Sequence, residues 1–233
     1  MRPAGWSASP PRSFRLPARV RQANLFESSP PLPDGLRYQA DFLAMDEEAE
    51  LLQHIATLPL REARYKQYTA RRRTVSFGSG YDFGSNALRP APPIPDWLLS
   101  LRDRVAEWIV QPAQAFAHAL VTEYQPGTAL GWHREVPDFC VVVGISLAGW
   151  ARMRFRPHTP QAASRLDPFA LDLAPRSAYV LQGEARWRWQ HAVSPTKALR
   201  YSITFRTMAA KRPGGKPRLP PEPGGPSEEG SSG

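Results

Sequence analysis

The stretch WHRE at residues 132–135 holds two side chains of the kinds that bind metal ions. His133 and Glu135 are two positions apart, and side chains at that spacing on an extended strand point to the same face. We therefore expect both to reach one metal ion. His191, on a later strand, would supply a third ligand. Two histidines and one carboxylate on one face are the set that leaves open coordination positions on non-haem Fe(II).

The last predicted strand, residues 200–206, carries two arginines suited to binding an anion. Strand alternation puts its polar residues on one face: Arg200, Ser202, Thr204 and Arg206. A guanidinium presents a planar, permanently charged fork that matches a carboxylate. The strand begins nine residues after His191, so it can lie beside the metal strand. The alternative is that both arginines face solvent on an edge strand.

The elements that must position these groups follow from the hydrophobic pattern. Asp46 is predicted to cap an amphipathic helix that ends before Pro59, and a second helix is predicted after Pro95. The second half of the chain alternates between apolar and polar residues, which predicts short strands. These are residues 118–124, 150–156, 186–191 and 200–206. On the third of them, His191 is predicted to share its face with Trp187.

Composition indicates one globular domain with unusual ends. The chain has 233 residues, of which 42% are hydrophobic and 22% charged. Residues 1–34 contain five arginines before the first acidic residue, and residues 211–233 are rich in Pro, Gly and Ser. We expect a disordered basic arm at 1–34, a folded domain at 35–210 and a disordered tail at 211–233. A transit peptide is the alternative for the arm.

The charge balance favours a polyanionic partner. The formal net charge is +9, and arginines cluster at residues 71–73 and alternate along 152–156. We therefore expect binding to nucleic acid. The single Cys140 excludes an internal disulfide and fits a reducing compartment, and no apolar run is long enough to span a membrane. We expect a monomeric cytoplasmic protein without membrane contact, with a nuclear or nucleoid location as the alternative.

Several segments, in this order, resemble the AlkB family of 2-oxoglutarate- and Fe(II)-dependent dioxygenases: RRRTVSFGSGYDF, ALVTEYQPGTALGWHRE, GISLAG, ARMRFRP, PRSAYVLQGEARWRWQHAVSP and ALRYSITFRT. The resemblance covers about residues 35–208. Its most specific part is the order H-x-acid, distal H, then R-Y-x-x-T-F-R. The resemblance implies an α+β, mainly β fold. This is a double-stranded β-helix, or jelly roll, with supporting helices on one side and an N-terminal nucleotide-recognition lid.

The resemblance also implies roles for individual residues. Fe(II) would be bound by His133, Glu135 and His191. The cosubstrate 2-oxoglutarate would be bound by Arg200 at its distal carboxylate, by Arg206 nearer the metal, and by Tyr124, Thr122 and Ser202. With O₂, such enzymes decarboxylate 2-oxoglutarate to succinate and CO₂ and hydroxylate a C–H bond. On an N-methylated base the product breaks down to formaldehyde and the repaired base.

The segment before the jelly roll resembles the family's lid. Its candidate substrate-binding residues are Arg73, Phe77 and Tyr81, since aromatic and basic side chains suit a flipped base and its backbone. The alternative is that the aromatic residues pack in the core and the arginines are solvated. The resemblance thus implies demethylation of alkylated DNA or RNA.

One departure from the family pattern bears on activity. The family's usual motif is H-x-D, whereas this chain has Glu135, whose carboxylate lies one methylene farther from the backbone. Either the local backbone compensates, or iron binds more weakly. The alternatives are therefore a catalytically weak or inactive member that binds nucleic acid, and a dioxygenase that acts on protein. A cupin-like hydrolase or isomerase is disfavoured because the motif lacks a second histidine.

Overall fold

The computed structural model describes residues 32–65, 68–82, 87–159 and 167–209. The predicted tail and nearly all of the predicted arm lie outside these residues. The described residues belong to one compact unit. Among them, no helix has both the length and the apolar character needed to cross a bilayer.

Two helices of three or more turns precede most of the strands. Helix α1 spans Met45–Ala56 and helix α2 spans Asp96–Trp108, close to the predicted positions. The predicted cap at Asp46 is wrong. The N-cap residue is Ala44, whose N–H donates to the Glu47 carboxylate at 2.8 Å, so Asp46 lies inside the first turn. There its negative charge still interacts favourably with the positive end of the helix dipole.

Antiparallel strands form two facing sheets in the described part of the chain. The strands are β1 Leu36–Gln39, β2 Arg61–Tyr65, β3 Tyr68–Phe77, β4 Ser79–Asp82, β5 Ala87–Pro90, β6 Phe116–Tyr124, β7 Leu130–His133, β8 Phe139–Leu147, β9 Ala151–Pro157, β10 Phe169–Leu173, β11 Ala178–Leu181, β12 Trp189–Val193 and β13 Arg200–Met208. The larger sheet has the order β1-β11-β8-β13-β6-β3-β2, and the smaller has the order β10-β9-β12-β7. Strands β4 and β5 form a separate hairpin. The arrangement is the predicted jelly roll.

The helices support one face of the larger sheet, as predicted. Leu51 and Ile55 of α1 and Leu98 of α2 belong to one core cluster with Val143 and Ile203 of the sheet. A second cluster, which includes Met153, Phe155 and Leu181, joins the inner faces of the two sheets. The layers are therefore helices, larger sheet and smaller sheet, and any site between the sheets is shielded from water on both sides.

One predicted strand was partly wrong. Residues 186–191 were predicted to be extended, but Gly183–Trp187 forms a short helix, α3, and β12 begins only at Trp189. Trp187 therefore lies off the strand and does not share the face of His191. A short apolar segment with two tryptophans does not distinguish a helical turn from a strand, because the segment spans only one or two periods of the helical or the strand pattern.

Candidate metal centre and cosubstrate cavity

Sheet register brings the two predicted histidine ligands together. His133 on β7 and His191 on β12 are direct cross-strand partners, and their ring centroids lie 4.2 Å apart. The Nε2 atom of His191 is 3.8 Å from Oε1 of Glu135. One ligand atom from each of the three side chains lies within 4.8 Å of the others. The structure thus gathers the three side chains of the expected triad at one point.

Both imidazoles are in a state that can donate a nitrogen lone pair to a metal ion. Nδ1 of His133 lies 2.9 Å from the carbonyl oxygen of Gly131, which can only accept, so Nδ1 carries the hydrogen and Nε2 is available to a metal. Burial lowers the pKa of His133 below its usual range, and burial together with the neighbouring His133 lowers the pKa of His191 to about 3. Both rings are therefore neutral at physiological pH, the form that binds metals.

Glu135 reaches the centre from outside the strand. Strand β7 ends at His133, so the expectation that both ligands lie on one strand was wrong. Arg206 orients the carboxylate instead: its Nε donates to Oε2 at 2.9 Å and its Nη2 to Oε1 at 3.3 Å. Burial alone would raise the pKa of Glu135, but the Arg206 guanidinium, by its charge and its hydrogen bonds, holds it well below its usual range. The carboxylate is therefore ionised.

A second arginine fixes the backbone that carries Glu135. Arg186 is buried, and its Nη2 donates to the carbonyl oxygens of Glu135, Val136 and Phe139 at 3.2, 2.7 and 2.8 Å. Burial lowers the pKa of Arg186 to about 10, so it stays cationic at neutral pH. Arg186 and Arg206 together hold both the main chain and the side chain of Glu135. The local backbone can thereby compensate for the longer side chain.

These residues fit Fe(II). Two neutral nitrogen donors and one ionised oxygen donor from three side chains match the facial set of non-haem iron, which leaves coordination positions for a 2-oxo acid and O₂. His133, Glu135 and His191 would hold the ion. Bound there, it would supply the oxidising chemistry, while the chain supplies position and shielding from water.

A cavity of about 720 Å³ between the sheets adjoins the metal centre and is lined by a buried arginine. Arg200 lines it, is only 2% exposed, and donates from Nε to Ser146 Oγ at 3.1 Å. Its guanidinium lies over the Tyr124 ring at 4.9 Å, and no carboxylate of the described residues pairs with it. Thr122 and Ser202 also line the cavity. A buried charge without a counter-charge is costly, so this arginine is suited to pair with an anionic ligand.

The alternative that Arg200 and Arg206 face solvent on an edge strand was wrong. Strand β13 lies in the middle of the larger sheet, between β8 and β6. Both arginines point into the space between the sheets, where they are 2% and 7% exposed. The face of the strand that carries the two arginines is therefore an inner wall of the cavity.

Two of the predicted substrate-binding residues, Arg73 and Phe77, do not line this cavity in the structure. Strand β3 pairs with β6, and its alternation points Arg72, Thr74 and Ser76 toward the cavity. Arg73 and Phe77 take the opposite face. Arg73 pairs there with Glu123 through two hydrogen bonds of 2.7 Å, and Phe77 is buried among the helices. Tyr81 lies in β4, but its side chain is outside the described residues.

Comparison with known proteins identifies the class to which this site belongs. The profile of the 2OG-Fe(II) oxygenase superfamily matches residues 35–206, so the chain belongs to that superfamily. The chain is 23% identical to mouse (Mus musculus) tRNA (carboxymethyluridine(34)-5-O)-methyltransferase ALKBH8 over 173 residues, 71% of this chain and 25% of that protein. It is 29% identical to uncharacterized protein L905 of Acanthamoeba polyphaga mimivirus over 106 residues, 40% of this chain and 49% of the viral protein. The chain thus spans half or less of each relative.

The fold agrees with this assignment. The structure of OsALKBH1 superposes with a TM-score of 0.58 at 18% identity, covering 76% of this chain and 99% of that one. The chain is thus a member of the 2OG-Fe(II) oxygenase superfamily with a fold like that of an AlkB homologue, and its His-Glu-His triad fits the Fe(II) for which the superfamily is named.

Three side chains at the site were not predicted from the sequence to belong to it. Arg186 fixes the turn that carries Glu135, His118 accepts a 3.4 Å hydrogen bond from Arg206 Nη1, and Tyr179 lines the cavity. The parity of β6 pointed to His118, because it shares a face with Thr122 and Tyr124. Neither Arg186 nor Tyr179 had such a local signal, since each acts on a strand or turn distant in sequence.

Glu135→Asp is expected to weaken Fe(II) binding by about tenfold. This is the lower end of the loss in metal affinity that follows when the contacts that position a ligand are removed. The two arginines fix a backbone position suited to the longer side chain, so the shorter carboxylate would fall short of both the ion and Arg206. Anaerobic Fe(II) titration of the two forms side by side measures the effect. Tighter binding by the aspartate variant would instead indicate that Glu135 is an impaired ligand.

Proposed function

We propose that this dioxygenase oxidatively demethylates N-alkylated bases in DNA or RNA, releasing formaldehyde. One observation carries the proposal: a basic and aromatic surface adjoins the metal centre. Trp132 directly precedes the ligand His133, and the guanidiniums of Arg156 and Arg154 lie over its ring at 4.4 and 5.1 Å. Both arginines are exposed on β9. The two guanidiniums lie on the outer face of the smaller sheet, since Met153 and Phe155 face inward, and exposed guanidinium groups there suit the phosphates of a nucleic acid bound along that face.

The cavity mouth supports the same conclusion. Arg61, Arg72 and Arg134 line the cavity in addition to the arginines that face the metal, and Glu62 is the one acidic residue besides Glu135 among the lining residues described. A positive rim raises the local concentration of a polyanion and favours its entry. A protein substrate would have no comparable need for a cationic rim.

The deciding experiment measures formaldehyde released from a panel of N-methylated DNA and RNA oligonucleotides, with Fe(II), 2-oxoglutarate and ascorbate. Release from at least one methylated oligonucleotide, and none from its unmethylated counterpart, is expected. If succinate forms while every oligonucleotide is left unchanged, the enzyme class stands but the nucleic-acid substrate does not. The absence of both products would indicate a catalytically inactive member.

Replacing Arg154 and Arg156 by alanine is expected to reduce the salt dependence of oligonucleotide binding. Each lost phosphate contact should lower the slope of log affinity against log salt by about 0.7 for a single strand and about 0.9 for a duplex. Binding titrations at several salt concentrations measure the slope. An unchanged slope would show that these arginines only solubilise the surface.

The matched control for this pair is Arg37→Ala. Arg37 is also exposed and also stacks on a tryptophan, with its guanidinium 4.9 Å from the Trp108 ring. Trp108 belongs to helix α2, on the helix side of the larger sheet. The control removes one guanidinium and its ring contact on the helix side of the larger sheet, so its salt slope should equal that of the wild-type protein.

A further inference from the structure

His118 lines the cavity beside the metal centre, at the other end of its strand pair from Arg200. It is the cross-strand partner of Arg206, whereas Tyr124 of the same strand is the partner of Arg200. Arg206 lies between His118 and the ligand Glu135: its Nη1 donates to His118 Nδ1 at 3.4 Å and its Nε to Glu135 Oε2 at 2.9 Å. Because the Arg200 end suits the cosubstrate carboxylate, His118 borders the part of the cavity that remains for the substrate.

The contacts of the His118 imidazole determine which of its nitrogens carries the hydrogen. A guanidinium can only donate, so Nδ1 is the acceptor and Nε2 carries the hydrogen. The Phe139 ring packs against the imidazole with ring centroids 4.8 Å apart, which restricts its rotation. Burial, together with the charge of Arg206, lowers the pKa of His118 to about 3, so the ring is neutral at physiological pH. His118 therefore presents one N–H donor in a fixed position.

This N–H group is open to the cavity. No hydrogen bond among the described residues involves Nε2 of His118, and Nε2 is not one of their fully buried side-chain atoms that lack a partner. The atom is therefore accessible, and the space that His118 borders is the cavity. A fixed donor on a cavity wall favours a ligand that places an acceptor atom against it, because a ligand without the acceptor leaves the donor unpaired.

The charge of the cavity restricts the ligand further. The described lining residues include five arginines but two carboxylates, namely Arg61, Arg72, Arg134, Arg200 and Arg206 against Glu62 and Glu135. Fe(II) and dianionic 2-oxoglutarate carry opposite charges of equal size, so binding of both leaves this positive excess in place. The bases 1-methyladenine and 3-methylcytosine are cations at neutral pH, whereas 3-methyluracil, 3-methylthymine and 1-methylguanine are neutral. A positive cavity disfavours the cationic bases.

We propose that the substrate is a neutral N-methylated base with a carbonyl group next to the methylated nitrogen, and that His118 recognises it by donating a hydrogen bond from Nε2 to that carbonyl oxygen. The class comprises 3-methyluracil, 3-methylthymine and 1-methylguanine. It excludes 1-methyladenine, which is cationic and has an amino group in place of the carbonyl. The inference rests on the proposed function, since it names the alkylated bases on which that reaction acts. His118 thereby determines specificity and binds neither iron nor the cosubstrate.

The test compares His118→Leu with His118→Gln. Leucine removes both polar atoms, whereas the amide oxygen of glutamine can accept from Arg206 while its N–H group donates toward the cavity. Formaldehyde release is measured from two oligonucleotides that differ only in the target base, 3-methyluracil or 1-methyladenine, to give kcat/KM for each. Anaerobic Fe(II) titration of both variants reports on the metal centre.

The wild-type protein should act on 3-methyluracil with a kcat/KM at least about tenfold above that for 1-methyladenine. His118→Leu should lose about tenfold on 3-methyluracil alone, as for a buried carbonyl group left without its donor, and His118→Gln should retain most of the wild-type rate. Fe(II) affinity should stay unchanged in both variants.

Three results would overturn the inference and leave the proposed function standing. These are equal wild-type rates on the two bases, an equal loss on both bases in His118→Leu, and an equal loss on 3-methyluracil in the two variants. A loss of Fe(II) affinity that matches the loss in rate would also overturn it, because His118 would then only support the metal centre. If succinate forms but no oligonucleotide releases formaldehyde, the inference and the proposed function both fail.

Discussion

His191→Ala is expected to abolish Fe(II) binding and 2-oxoglutarate-dependent succinate formation. His191 supplies one of three ligands, it is buried, and its ring is directly opposite His133. Loss of a residue that merely supports a metal ligand typically costs 10- to 100-fold, so loss of a ligand should exceed about 100-fold. Anaerobic Fe(II) titration and a succinate assay measure the two effects. Turnover that survives this substitution would refute the assignment of the metal centre.

His54→Ala is the matched control. His54 lies on helix α1, where its ring stacks on Trp97 with centroids 5.0 Å apart. The side chain is partly exposed and lies on the helix side of the larger sheet. Its removal deletes the same chemical group without touching the cavity, so iron affinity and succinate formation should match those of the wild-type protein.

Arg200→Met is expected to weaken 2-oxoglutarate binding by about 30-fold or more. Truncating one partner of a buried, hydrogen-bonded charge pair costs about 2 kcal/mol or more, which corresponds to at least that factor. Methionine keeps much of the side-chain volume but removes the fork that faces the cavity. Titration with 2-oxoglutarate measures the loss, and Fe(II) affinity should stay unchanged because Arg200 makes no contact with the three ligands among the hydrogen bonds described.

The same variant should be no less stable than the wild-type protein without ligand. Arg200 is a nearly completely buried cation with one neutral hydrogen-bond partner, Ser146, and replacing such a charge by an apolar group is often neutral or stabilising. Thermal unfolding of the ligand-free proteins checks this. A large drop in the unfolding temperature together with lost iron binding would show that Arg200 is structural and that its effect on 2-oxoglutarate is indirect.

Strand parity explains both the success and the failure of sequence reasoning. On β13 the alternation is strict, and the polar set that includes Arg200 and Arg206 faces the cavity as predicted. On β3 the same rule holds: Val75 and Phe77 mark the apolar face, and Arg73 shares their parity. The residue that points into the cavity is therefore Arg72. The resemblance to a family identified the segment, but the alternation within the segment determines the residue.

Other features were beyond local sequence rules for a physical reason. The contact of Arg186 with the turn at Glu135 joins residues 51 positions apart, and the fit of Tyr179 over Gly144 depends on the register of two strands. A periodicity gives the face of a residue but not its cross-strand partner. The motif order H-x-acid, distal H and R-Y-x-x-T-F-R predicted which residues would meet because His133, His191 and the two arginines lie on strands whose neighbours are set by the jelly-roll topology.

Because the site is divided between the two sheets, bound ligands should increase the stability of the fold. His133 and His191 belong to the smaller sheet, whereas Arg200 and Arg206 belong to the larger one. Among the residues described, the ion pair between Arg206 and Glu135, which follows the strand of His133, is the one ion pair that joins the two halves of the site. A metal ion and a dicarboxylate bound together would contact both sheets and link them. Ligands that bind only the folded state stabilise it in proportion to the logarithm of their concentration. The folded protein should therefore resist proteolysis better with both ligands bound than with either one absent.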